Sequence, residues 1–132
     1  MRFGDATPKG RITMYLTKNE IEIMDVLWRE GRALSRGEIL SLSEDKNWMD
    51  SSVHILLNSM LKKGAIREAG FVKCGKTCGR VYEAVLSCEA YYVSTLDSTR
   101  TKPTLPKLLE AYMDVYPLLP QDKERILELL NR

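Results

Sequence analysis

No apolar run in the sequence approaches the roughly 18 residues a helix needs to cross a bilayer, so no membrane-spanning helix and no membrane partner is expected. The start, Met1-Arg2-Phe3-Gly4-Asp5, puts no apolar stretch behind its positive charge, which argues against a secretory leader and for a cytoplasmic protein. Cysteine is scarce and odd in number, with three residues, Cys74, Cys78 and Cys88. Without an export signal this argues against a disulfide framework and for reduced thiols. Histidine occurs once, at His54. Paired carboxylates, phosphate-loop glycines and metal-ligand spacings are missing, so no catalytic residue is nominated, no cofactor is expected and an enzyme is not the expected class. A Cys–His pair would need a thiol brought to His54, and the spacing does not enforce it. Net charge is only +2, too small by itself to announce a nucleic-acid partner, so the placement of charge decides.

What is present is a composition of 44% hydrophobic and 29% charged residues over 132 positions, enough for one full domain and a small appendage. Residues 1–15 combine Gly4, Pro8 and Gly10 without periodicity and read as a loose arm. Thr17-Lys18-Asn19-Glu20 fits a capping box and opens a helix with Ile21, Met24, Leu27 and Trp28 on one face and Gly31 as its stop. Ser35-Arg36-Gly37-Glu38 is a second box, opening a shorter helix that ends in the polar cluster 43–47. A third helix starts near Asp50, carries Val53, Leu56, Leu57, Met60 and Leu61 as one stripe, and ends at Gly64.

Beyond Gly64 the period changes. Ala65-Ile66-Arg67 reads as a short strand, and Gly70–Lys73 and Arg80–Val85 flank a glycine-rich turn, which predicts a β-hairpin with its tip at Gly75 to Gly79. Three helices and a two-stranded ribbon make a winged helix-turn-helix, in a mainly α (α+β) chain. Cys88–Tyr92 reads as a linking helix and the polar run 97–103 as a hinge. Two amphipathic helices follow, the first with Leu105, Leu108, Leu109, Tyr112, Met113 and Tyr116, the second with Ile126, Leu127, Leu129 and Leu130. The expected organisation is an arm (1–15), a winged-helix domain (16–86) and a linker with helical dimerisation region (87–132). Two short helices cannot cover those apolar faces on each other, which points to a second copy of the chain.

A recognition helix enters the major groove with its polar face while its apolar face holds the core. The candidates for base contact are therefore Ser51, Ser52, His54, Ile55, Asn58 and Ser59, with Asn58 suited to adenine and Ile55 to a thymine methyl. Between Lys62 and Arg80 lie six basic residues against one acid, Glu68, so the phosphate-contact candidates are Lys62, Lys63, Lys73, Lys76 and Arg80. Cys74 and Cys78 flank the hairpin tip, and with Cys88 they are weak candidates for a metal or redox site; a zinc site wants four ligands, and no spacing marks the missing ones. Trp28 and Trp48 read as core anchors. The alternative to DNA binding is a protein-protein interaction module, in which the uncharged outer face around Ile55 docks a partner and the wing is structural.

The run from Leu16 to Trp28, with Trp48, the helix Ser52 to Leu61, the turn Lys62-Lys63-Gly64-Ala65-Ile66, the wing end Arg80-Val81-Tyr82-Glu83-Ala84 and the tail segments Leu105–Leu109 and Lys123–Leu130, resembles the penicillinase repressor family of winged-helix transcriptional regulators. The resemblance implies a homodimeric repressor on an inverted-repeat operator in double-stranded DNA, with any upstream sensor unidentified. The chain departs from the family's pattern in its third helix, where Ser52, Ile55 and Ser59 stand in place of the usual threonines and arginine, implying a different operator or a low affinity. The linker Leu96 to Pro103 lacks the asparagine-phenylalanine pair at which induced members are cut, and no cysteine lies beyond Cys88 to match the copper-responsive branch.

Overall fold

The computed structural model describes residues 14–74 and 77–132, with side chains outside 72–78. The chain divides into two compact units, 1–98 and 99–132.

In the first unit, α1 (Lys18–Glu30) starts on the expected box: Thr17 Oγ1 accepts from Glu20 N, and Glu20 Oε1 accepts from Thr17 N at 2.8 Å. It ends where Gly31 N–H donates to Leu27 O. A two-residue strand, β1 (Leu34–Ser35), leads into α2 (Arg36–Leu42), opened by the Ser35–Glu38 box. A 3-10 turn (Asp50–Ser52) runs into α3 (Val53–Lys63). Gly64 closes α3 at φ 80°, a left-handed conformation that costs a residue with a Cβ more than it costs glycine.

The hairpin is longer and tighter than the sequence predicts. β2 (Ile66–Cys74) is continuous from the segment expected as a separate short strand, and it pairs antiparallel with β3 (Thr77–Ala84) out to Cys74 opposite Thr77. A bulge between Glu68 and Gly70, with Gly70 at φ 130°, absorbs the break in alternation that made the strand look divided. β1 adds to the far side of β3, Leu34 opposite Tyr82, giving the order β1-β3-β2.

Ile23, Met24 and Leu27 of α1, Ile39 of α2, and Val53, Leu57 and Met60 of α3 interlock with Leu34, Ala65 and Ile66 in one core. Each large aliphatic side chain buried there contributes about 1.5–3 kcal/mol. Trp48 is buried, and its Nε1 donates to Glu22 Oε1 at 3.1 Å. Trp28 is half-buried and donates to Leu86 O at 2.9 Å.

Two expectations at the domain edges need correction. Met14, placed in the loose arm, is buried in the core cluster together with Leu16; residues 1–13 lie outside those described. The linking helix, α4 (Cys88–Ser94), belongs to the first unit and not to the tail. Its Tyr91 is buried in the core, with its ring centroid 5.8 Å from that of Trp28.

In the second unit, α5 (Leu105–Val115) and α6 (Pro120–Leu130) each carry a proline in the first turn, where a missing N–H costs nothing. Pro117 lies just beyond Tyr116, the C-cap of α5. No helix among the described residues is long and apolar enough to cross a membrane.

Candidate nucleic-acid interface

Val53, Leu57 and Met60 fix α3 to the core and so turn its other side outward. Ser51, His54, Ile55, Asn58 and Lys62 are exposed there, and Ser52 is half-buried where the 3-10 turn joins the helix. Periodicity therefore places these residues on one accessible face, with Ile55 72% exposed.

Ser59, a candidate for base contact, and Lys63, a candidate for phosphate contact, are drawn to the flank of this face. Their partner is Glu20, the capping-box glutamate of α1, which is only 1% exposed. Lys63 Nζ donates to Glu20 Oε1 at 2.6 Å, and the Ser59 side chain hydrogen-bonds the same carboxyl group. A carboxylate removed from water requires such partners. Burial alone would raise the Glu20 pKa, but the bonds from Lys63, Ser59 and Thr17 N–H outweigh it and hold the group below the ordinary carboxylate value. The pair at positions 59 and 63 thus clamps α3 to α1.

Beside the outer face of α3 lies a groove lined by Ser35, Arg36, Gly37, His54, Asn58, Gly79, Arg80 and Tyr82. One wall is the start of α2, the other the base of the wing. Arg80 is exposed and meets Glu68 across the strands at 3.2 Å. An exposed pair of this kind is worth little, so it yields readily to a stronger anionic partner. Arg36 is the residue that the sequence reading missed: its Nη1 donates to His54 Nε2 at 2.6 Å. The Ser35 box signals that Arg36 opens a helix, but no local signal reports its contact with a histidine 18 positions away. Arginine donates and never accepts, so in this contact Nε2 is the lone-pair nitrogen and the proton sits on Nδ1.

On the wing, the backbone register sets Lys73 opposite Cys78 and Cys74 opposite Thr77. Lys76 and Gly75 lie outside the described residues, and the side chains of Lys73, Cys74 and Cys78 are likewise undescribed. Cys88 is half-buried in the first unit; burial first, then the charges of Glu89 and Asp25, push its thiol pKa up and keep it protonated. Among the described residues no three histidine, cysteine or acidic side chains converge on a common point.

In the tail, Leu105, Leu108, Leu109, Tyr112, Met113 and Tyr116 of α5 and its end, and Leu127, Leu129 and Leu130 of α6, are exposed. Ile126 is half-buried, in a cleft it shares with Leu109, Tyr112 and Met113. The two helices leave most of their apolar surface uncovered.

A protein of Latilactobacillus sakei, described as an uncharacterized 16.5 kDa protein in the ptsI 3' region, is 33% identical over 55 residues, 42% of this chain and 38% of that protein. The match thus spans well under two thirds of that relative's length. Among solved structures, the ferric uptake regulator of Helicobacter pylori aligns with TM-score 0.40 and 31% identity, over 61% of this chain and 51% of that one. That of Vibrio cholerae aligns with TM-score 0.44 and 15% identity, over 64% and 63%. The profile of the penicillinase repressor family matches residues 16–132, nearly the whole sequence. The chain belongs to the penicillinase repressor family, a family of DNA-binding transcriptional regulators.

Proposed function

We propose that this protein is a sequence-specific transcriptional repressor that binds an inverted-repeat operator in double-stranded DNA as a homodimer. The observation that carries the reading is the accessible outer face of α3, a helix locked by its other side to the core, with a groove beside it that carries Arg36 and Arg80. Ser51, Ser52, His54, Ile55 and Asn58 are the groups offered to base edges. Lys62 and Arg80, with Lys73 and Lys76 on the wing, supply positive charge for phosphates. The uncovered faces of α5 and α6 are where a second copy packs, and such a dimer presents two recognition helices about 34 Å apart, one duplex turn.

A second reading has its own support. Met49 and Ile55 are 74% and 72% exposed and line a shallow hollow with Ser52 and Leu56, a surface that suits an apolar protein partner. Salt separates the two. Titration of the full chain onto a labelled mixed-sequence duplex, repeated as salt is raised from about 50 to about 200 mM, should show affinity falling steeply as counterions are retained. Replacing Lys73, Lys76 and Arg80 by alanine should reduce that slope by about 3. No measurable binding at the lowest salt would favour the protein-partner reading.

A further inference from the structure

Resting on the DNA-binding reading, we infer that Arg36 is a specificity-determining residue that reads a guanine in each half-site, and that His54 is the positioning residue that holds its guanidinium. The outer face of α3 contains no arginine: its described candidates are serines, Ile55, Asn58, His54 and, at the far end, Lys62. None of these presents the rigid planar fork with which a guanidinium matches the O6 and N7 acceptors of guanine, although the Lys62 ammonium can also donate to them. Two guanidinium groups line the groove beside this face: Arg80 of the wing, which pairs with Glu68, and Arg36 of α2, which is held by a residue of α3 itself, bonding His54 at 2.6 Å beside Asn58. Arg36 is exposed, and no carboxylate among the described residues pairs with it.

The chemistry of that contact distinguishes base reading from a plain phosphate contact. Arginine has five N–H donors in a planar fork, and the bond to His54 uses one of them. The rest stay free while the long side chain is held against the recognition helix. A phosphate can be met by a mobile cation, whereas a bidentate base contact requires the fork to be fixed in orientation. A neutral imidazole acceptor fixes it and leaves its charge uncompensated. Asn58 of α3, which lines the same groove, then adds an adenine-type reader.

The test selects binding sites from random duplexes with the full-length protein and with Arg36→Ala, Arg36→Lys, His54→Ala and His54→Gln, each first checked for an unchanged melting temperature. The parent is expected to enrich a motif with guanine at one position per half-site. Arg36→Ala and Arg36→Lys should both lose the preference at that base pair, a discrimination of about 5- to 150-fold, and keep the rest of the motif. His54→Ala should weaken the same position, and His54→Gln, which still offers an acceptor, should restore it. A motif unchanged by Arg36→Ala overturns the inference while leaving the DNA-binding reading intact. So does a uniform loss across all positions, which marks a phosphate contact. Failure of the parent to enrich any motif removes both.

Discussion

Glu20 closes the capping box of α1 and also holds Ser59 and Lys63 of α3, so one carboxylate joins a local signal to a tertiary contact. Lys63→Met leaves the buried charge short of its ionic partner, and chemical denaturation should show a loss of about 3 kcal/mol. Because Glu20 is held below the ordinary carboxylate value in the folded chain, the stability it contributes is complete above that ordinary value and disappears as pH falls through the lower folded one. Glu20→Gln should therefore cost about 1.5 kcal/mol near neutrality and flatten the stability curve on the acid side; an acid limb as steep as the parent's would show that Glu20 is not the group responsible. The same cluster explains which site residues were legible. His54, Ile55 and Asn58 lie opposite the apolar stripe, and periodicity alone finds them. Ser59 and Lys63 lie on the flank, where a carboxyl group 43 residues before Lys63 decides. Arg36 was hidden for the same reason, since its contact with His54 crosses between helices.

At the scale of elements, helix starts and stops were readable because their causes are local: Thr17 with Glu20, Ser35 with Glu38, and Gly64 after the last turn of α3. β1 was not, because a two-residue strand has no period and exists only through its pairing with Val81 and Tyr82. Assigning α4 to the linker failed on a single ring: Tyr91 is buried, and sequence spacing could not show that Trp28 waits beside it. Tyr91→Ala should cost about 3 kcal/mol in the first unit, and a chain ending at Leu86 should melt lower than one ending at Ser98. Equal melting would place α4 outside the cooperative fold. The bulge in β2 rests on Gly70 at φ 130°, a conformation nearly restricted to glycine. Gly70→Ala should lower stability by about 1–3 kcal/mol; an unchanged denaturation midpoint would contradict the strain assigned to that position.

For the whole molecule, the question is what covers α5 and α6. Leu105 and Leu130 are 69% and 70% exposed, so aspartate at both positions has little to disturb within one chain. Under the dimer reading, sedimentation should show the parent as a dimer and the double variant as a monomer with its far-ultraviolet spectrum retained. A parent that sediments as a monomer at all concentrations would remove the second copy from the account. The apolar stripes were legible as stripes, but a stripe does not name its partner, so the dimer rests on this experiment.

In the proposed complex two copies of α3 read a duplex symmetrically. Selection from a pool of random duplexes, with the unaltered full-length protein at physiological salt, tests it most directly. A symmetric dimer should enrich an inverted repeat whose half-site centres lie about one helical turn, 10–10.5 base pairs, apart. Enrichment of a single asymmetric site, or of no sequence at all, would contradict it.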